Sequence, residues 1–323
     1  MPTLRRLVPE DAEKLVSCFE RCYGPSYVDG DFYDAKKIRS RLADGRLRSI
    51  VAVSESGEIV GHMGLTARSS EAVTADAGNT VVDPSSRNQK LAGRLGLRLM
   101  DLCREVGLIG FHHYPTTAHP VMQRLAVQAG GVETGIMLDY IPAETDYREL
   151  SAGQVAQRLA VVVVYQALAP APARDVFLPE RHRHLLARLY AACDLERTFR
   201  DSSPEPVRSA CDLEVVEFAR RGLLRIEVRR TGADLVERMA AALRGADAEL
   251  FQLDLPLSDA GVSQAVDAAE ASGFFYSALL PEYLEGDVLR LQKPSALLGP
   301  ATRELLASEG ARSMFDYIEA DTC

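Results

Sequence analysis

The stretch Val81–Cys103, VVDPSSRNQKLAGRLGLRLMDLC, constrains the chain most. A short apolar strand ends at Asp83-Pro84, a polar turn follows, and an amphipathic helix begins near Leu91. The first turn of a helix has unpaired N–H groups at the positive end of its dipole. A turn that opens onto it is a place where backbone donors hold a diphosphate. Glycine is the residue that lets such a loop come close and adopt unusual φ. Here the middle of the turn is Lys90. Its ammonium either adds a charge-assisted contact to a phosphate or fills the cradle. Ala92 and Gly93 keep the small residues that close approach needs, and Arg87, Lys90, Arg94 and Arg98 give the region a basic face.

The rest of the first half reads as alternating strands and helices. Leu15, Cys18, Phe19 and Cys22 recur at helical spacing behind the acidic start Glu10-Asp11. "DAKKIRSRLADG" is a second helix. Ile50 to Val53 and Ile59 to Leu65 form a hairpin across a Ser-Glu-Ser-Gly turn. "TADAGNTVVDP" and "LIGFHHYPTT" are strands on either side of the quoted helix. "HPVMQRLAVQAGG" and "VETGIMLDYI" close the run, giving the order β-α-α-β-β-β-α-β-α-β. "PAETDYRELSAG" reads as a linker, followed by the strand "LAVVVVYQAL" and the stiff spacer "APAPAR".

At 323 residues the chain is long enough for two domains. The second half repeats the rhythm of the first: Val82 to Gly130 and Val228 to Gly273 both read strand, turn, helix, strand, helix. The alternative is two unrelated α/β segments of similar rhythm. The net charge of −9 argues against a nucleic-acid binder, which is usually basic. No apolar run approaches the ~18 residues of a membrane span. No apolar stretch follows the basic residues near the N-terminus, so no secretory leader is expected. The six scattered cysteines read as free thiols of a cytoplasmic protein. His182 and His184 point in different directions on a helix and read as solvated, and the spacing of the other histidines gives no metal site.

The order of elements and the segment Arg87-Asn88-Gln89-Lys90-Leu91-Ala92 resemble the GNAT superfamily, the GCN5-related N-acyltransferases. Their loop reads Arg/Gln-x-x-Gly-x-Gly/Ala between the fourth strand and the third helix. The resemblance covers about Leu4 to Pro142 and departs from the pattern at Lys90. It implies an α/β fold with a mixed sheet: two GNAT-like domains in tandem, the second degenerate, with only Gly232 left of a glycine turn. The expected division is residues 1–145 for the first domain, 146–176 for the linker and connecting strand, and 177–323 for the second. Acetyl-CoA or another acyl-CoA is the implied donor. Val81, Val82, Arg87, Asn88, Gln89, Lys90, Leu91, Ala92 and Gly93 would hold it.

The implied activity is transfer of an acyl group from coenzyme A to the amine of a small molecule by direct attack. That reaction needs a base for the amine and an acid for the leaving thiolate. The family's usual tyrosine acid, four residues before the closing glycine of the last helix, falls on Ala126 here and on Ala269 in the second half. His113 or Tyr114, at the end of a strand dense in titratable groups, is the substitute, and Asp76 on the fourth strand is a base candidate. Strand alternation sets His112 and Tyr114 on one face and His113 on the other. Tyr23, Tyr27 and Tyr33 form either a substrate wall or loop anchors. Two rival functions stay open: a binding protein that lost the reaction, and a transferase whose donor is a carrier-protein thioester or an aminoacyl-tRNA.

Overall fold

The computed structural model describes residues 1–323 except 88, 147–156, 204–207, 295–300 and 323. The chain forms two compact units, residues 1–114 with 143–157 and residues 115–142 with 158–323.

The first unit follows the element order expected of it. It contains β1 (Thr3–Arg6), α1 (Ala12–Tyr23), α2 (Ala35–Ala43), β2 (Leu47–Val53), β3 (Ile59–Thr66), β4 (Thr74–Val82), α3 (Leu91–Glu105) and β5 (Gly110–His113). Leu15, Cys18, Phe19 and Cys22 of α1 are buried, as their spacing requires, and Gly24 ends the helix at φ 57°. Asp34 starts α2 by accepting from the N–H of Lys36 at 2.8 Å. Strands β1 to β4 pair antiparallel in sequence order, and β5 joins β4 in parallel. The helix α3 makes that crossover and packs on β2 and β3. The apolar side of α1 closes over the opposite face, with Phe32, Ile38, Val51 and Val81 in the same core.

The second unit holds α4 (Pro120–Gln128), β6 (Val132–Ile141), β7 (Leu159–Ala167), β8 (Arg174–Phe177), α5 (Arg183–Ala192), β9 (Arg197–Arg200), β10 (Asp212–Phe218), β11 (Leu223–Arg230), α6 (Leu235–Arg244), β12 (Leu250–Pro256), α7 (Val262–Ala271), β13 (Phe275–Leu280), β14 (Val288–Pro294), α8 (Ala301–Glu304) and α9 (Glu309–Asp321). Its main sheet runs β7-β6-β13-β14-β12-β11-β10, while β8 and β9 form a separate parallel pair. The strand that the sequence places in the linker is β7, paired antiparallel with β6. Residues 147–156 of that linker lie outside the described residues. β11 and β12 are parallel across α6, repeating the β4-α3-β5 unit, and β14 returns between β12 and β13. Both units are mixed α/β. Among the described residues no helix is long and apolar enough to cross a membrane.

Within the second unit, β6 and β13 meet at one backbone pair, Gly135 with Ala278. Side chains satisfy the backbone on either side. Tyr276 Oη donates to the Thr134 carbonyl at 2.7 Å, and Ser277 Oγ donates to that of Ile136 at 3.2 Å. The buried Gln292 amide bridges further, with Nε2 donating to Ile136 O at 3.0 Å and Oε1 accepting from Leu138 N at 2.9 Å. Each of these backbone groups would be costly to bury unpaired. Gly135 permits the approach: a Cβ there would stand 2.1 Å from the Ser277 carbonyl oxygen.

His182 corrects one expectation. It is fully buried, with Nδ1 2.7 Å from Tyr317 Oη, and only His184 is solvated. His62 in the first unit is likewise buried.

Two predictions follow from this packing. Gly135→Ala is expected to destabilise the second unit by about 3 kcal/mol, because backbone and not a flexible side chain must move. A lower urea midpoint at unchanged m-value would show it. Burial holds His62 and His182 down to about 4, below the ordinary 6.5. The unfolded chain therefore takes up protons first as pH falls, and stability present above pH 6.5 is lost between 6.5 and 4. The loss is about 1.4 kcal/mol per pH unit for each histidine. Urea midpoints across that window test it, and His62→Gln should flatten the slope.

Candidate active site

The ladder between β4 and β5 runs from Thr74 opposite Gly110 to Ala77 opposite His113 and stops there. β4 continues to Val82, paired with β3 alone through Gly78, Val81 and Val82. The far edge of Gly78 to Val82 is thus parted from β5. A bulge accompanies the parting. Gly64 pairs with Gly78 and His62 with Val81, so two residues of β4, Asn79 and Thr80, oppose Met63 alone. Asn79 is left-handed, at φ 52°. A bulge of this kind bends its strand and increases the twist.

Buried side chains hold the bulge in place. His62 Nδ1 lies 2.7 Å from the Asn79 carbonyl oxygen, and Nε2 lies 2.9 Å from Ser49 Oγ. A carbonyl only accepts, so the neutral ring carries its proton on Nδ1 and accepts the Ser49 hydroxyl proton on Nε2. Tyr27 Oη donates to the Asn79 side chain at 2.7 Å. Tyr33 Oη donates to the Gly24 carbonyl at 2.6 Å and accepts from Tyr27 N. Tyr27 and Tyr33 therefore act as anchors of the loop after α1.

β4 leads into the turn. Asp83 accepts from Ser85 N at 3.0 Å and from Arg21 Nε at 2.5 Å, while Arg21 Nη2 donates to Ile59 O at 2.7 Å. Burial alone would raise the Asp83 pKa. The Ser85 and Arg21 bonds outweigh it and hold the carboxyl below its usual range. Asn88 lies outside the described residues, and Gln89 and Lys90 are exposed. Lys90 is the N-cap of α3 at φ 53°, ψ 24°, the left-handed conformation that the family's glycine would supply, and no side chain caps the helix. The N–H groups of Leu91, Ala92 and Gly93 precede the first intrahelical donor, Arg94 N, which bonds Lys90 O. A Cβ added at Gly93 or at Gly78 would meet nothing within 4 Å. The ends of the opening are therefore clear, and the residues present fit a diphosphate with an extended chain behind it.

The basic face is smaller than the sequence suggests. Arg94 Nη2 donates to the Pro2 carbonyl at 3.2 Å, and Arg98 pairs with Glu105 at 2.9 Å. Arg87 is half-buried. Lys90 is the exposed cation beside the turn.

The structure brings Asp76 and Tyr114 together: Tyr114 Oη donates to Asp76 Oδ1 at 2.6 Å. Asp76 stands opposite both His112 of β5 and Thr66 of β3, whose hydroxyl accepts from Arg41 of α2. The pair is thus on the α1–α2 side of the sheet. His113 stands opposite Ala77, itself opposite Leu65, two residues from the Met63 that reaches α3. Its ring is on the α3 side, and burial pushes it down to about 4. His112 is buried and His119 is the N-cap of α4. Register between parallel strands joins Asp76 to Tyr114, and no local signal in the sequence carries it.

In the second unit the equivalent turn, between β11 and α6, is filled by its own chain. A Cβ at Gly232 would stand 2.3 Å from the Ala210 carbonyl carbon and from Cys211 N. Asp259 accepts from Thr231 N, Thr231 Oγ1 and Gly261 N, each at 2.9 Å, and pairs with Arg208 at 3.0 Å.

No curated protein matches the chain. Among solved structures it is similar to the spermidine/spermine N-acetyltransferase of Vibrio cholerae in mutant form, with 16% identity over 52% of this chain and 95% of that one, at a TM-score of 0.40. A phosphinothricin acetyltransferase from Sinorhizobium meliloti, solved with AcCoA, has 16% identity over 52% of this chain and 89% of its own, at 0.42. A ribosomal-protein alanine N-acetyltransferase from Escherichia coli has 16% identity over 53% and 97%, also at 0.42. The model of the acetyltransferase (GNAT) family matches residues 12–125. The chain therefore carries an acetyltransferase domain of the GNAT family over those residues.

Proposed function

We propose that the chain is an N-acyltransferase that moves an acetyl or other acyl group from coenzyme A to the amine of a small molecule. The observation that carries this is the parted edge of β4, which leads from Gly78 to the uncapped N-terminus of α3. Backbone groups around Val81 and Val82 are left to bond the amides of the pantetheine arm. The N–H groups of Leu91, Ala92 and Gly93 take the diphosphate, with Arg87, Gln89 and Lys90 around it. Lys90 keeps the backbone of a glycine and adds a positive charge at the rim. The donor is a thioester, and its acyl carbon is what the amine attacks.

Tyr114 and Asp76 suit the proton transfers. As the C–N bond forms and the C–S bond breaks, Asp76 takes a proton from the amine and the Tyr114 hydroxyl gives one to the departing thiolate. The 2.6 Å bond between them then returns the proton from Asp76 to Tyr114. His113, the other candidate, points to the α3 side of the sheet, away from this pair. Residues 177–323 act as a degenerate partner domain without a donor, in keeping with the filled turn at Gly232. The five cysteines among the described residues are free and buried, which suits a reducing cytoplasm.

Ala126 at the family's tyrosine position favours a second reading, a binding protein that has lost the reaction. A third takes its acyl group from a carrier-protein thioester or an aminoacyl-tRNA. Thermal shift separates these. Acetyl-CoA or desulfo-CoA at about 100 times its Kd should stabilise the wild type by about 2.7 kcal/mol. A response of Lys90→Gly alone would mean that Lys90 closes the cradle, and no response in either would overturn the donor assignment. With a panel of amines and thiol release as the readout, Tyr114→Phe and Asp76→Asn are each expected to lower kcat about 10²-fold or more. Binding with no turnover in any arm is the outcome of the lost-reaction reading.

A further inference from the structure

A second cluster of titratable groups lies in the second unit, where nothing in the acyl-transfer reading uses it. His182 closes the turn before α5, Glu270 is in the last turn of α7, and Asp321 is the last residue of α9. One ligand atom from each lies within 4.8 Å of the others. His182 Nε2 and Glu270 Oε1 are 3.3 Å apart. Both atoms are buried and neither has a hydrogen-bond partner. Two lone-pair atoms facing each other in this way are costly unless a proton or a cation stands between them.

The surroundings suit a cation. His182 Nδ1 is held by Tyr317 Oη at 2.7 Å. With its proton on Nδ1, the ring donates there and aims the Nε2 lone pair at the carboxylates, the arrangement that orients metal-binding histidines. Asp321 is fixed through Oδ2, which accepts from Tyr276 N at 2.8 Å. Its Oδ1 takes Arg181 Nε at 2.6 Å, and the same nitrogen is 3.4 Å from Glu270 Oε1. Arg181 is half-exposed, so its guanidinium can swing to solvent and yield the place to an ion of higher charge. The 3.3 Å separation matches the edge of a tetrahedron with metal–ligand bonds of about 2.0–2.1 Å.

We propose that His182, Glu270 and Asp321 bind one divalent transition-metal ion of the zinc class, displacing Arg181 and tying α9 to α5 and α7. One imidazole and two carboxylates suit zinc or cobalt better than magnesium or calcium, which prefer oxygen ligands alone. Two negative charges from the site meet the two positive charges of the ion.

The test is a titration of the full, untagged, chelator-treated chain with Co²⁺, followed by Zn²⁺. One equivalent of Co²⁺ should give the visible absorption of a low-coordinate ion, Zn²⁺ should bleach it, and each metal should raise Tm by several degrees. Glu270→Gln and Asp321→Asn should abolish the band. Arg181→Gln should tighten binding, whereas a purely structural ion pair predicts lower stability and no metal response. A wild type with neither band nor Tm rise overturns the proposal, as does a band that survives Glu270→Gln. Where a ligand variant fails to fold, the wild type and Arg181→Gln decide the matter.

Discussion

The hydrogen bond from His62 Nδ1 to the Asn79 carbonyl is the contact on which the candidate site depends. It fixes the one left-handed residue of β4, and that residue makes the bulge that turns the strand. The ladder to β5 ends two residues before it, at Ala77. β5 itself ends at His113, so β4 runs past its parallel partner, and the bulge turns the part that extends beyond. The bond is robust because the ring is dry. Burial keeps the imidazole neutral, Ser49 fills Nε2, and Phe19 and Phe32 pack against the ring at 5.7 and 5.4 Å. Tyr27 grips the Asn79 side chain from the loop after α1. The helix pair that covers the sheet and the opening in the sheet are thereby one construction.

The same strand–helix–strand unit occurs in both units of the chain with opposite outcomes. After β4 the turn stands clear, and the first N–H groups of α3 have no side-chain cap. After β11 the turn is packed by residues 210 and 211, and Asp259 takes the N–H of Thr231 with a carboxylate. The first turn of α6 has no side-chain cap either, so the difference lies in the turn itself, which residues 210 and 211 fill and Asp259 ties down with Arg208. Local chemistry, and not the topology, separates an open turn from a closed one. Fold alone therefore does not assign activity to the second half.

Much of this was legible from the residues. Periodicity of apolar positions and turn chemistry place α1, α2, α3 and the β2–β3 hairpin, because each is decided by neighbours in sequence. Asp83 reads as a turn residue and acts as one. The features that were not legible depend on partners far along the chain. The place of β7 beside β6 is a choice of sheet order, which "LAVVVVYQAL" does not encode. Arg94 and Arg98 read as a basic face, but Pro2 and Glu105 draw them away. His182 reads as a surface residue because the sequence does not show Tyr317 and Glu270 closing over it. Asp76 and Tyr114 are each visible as polar groups near strand ends, but their bond exists only in the parallel register of β4 with β5.

Lys90 shows how a departure from a motif can leave its geometry intact. A left-handed lysine costs of order 1–2 kcal/mol over glycine, and a chain keeps such strain where something else holds the conformation. Here Asp83, bonded by Arg21 and Ser85, sets the start of the turn, and α3, packed on β2 and β3, sets its end. Lys90 accepts the first intrahelical bond, from Arg94 N at 3.2 Å, so its backbone is tied to the start of α3. What the substitution changes is the side chain. It is exposed, and it brings a charge to a turn whose neighbouring arginines are engaged elsewhere. A phosphate approaching α3 would meet the helix N-terminus from one side and this ammonium from the other. The substitution thus changes the charge at the mouth of the cradle and leaves its shape to the residues on either side.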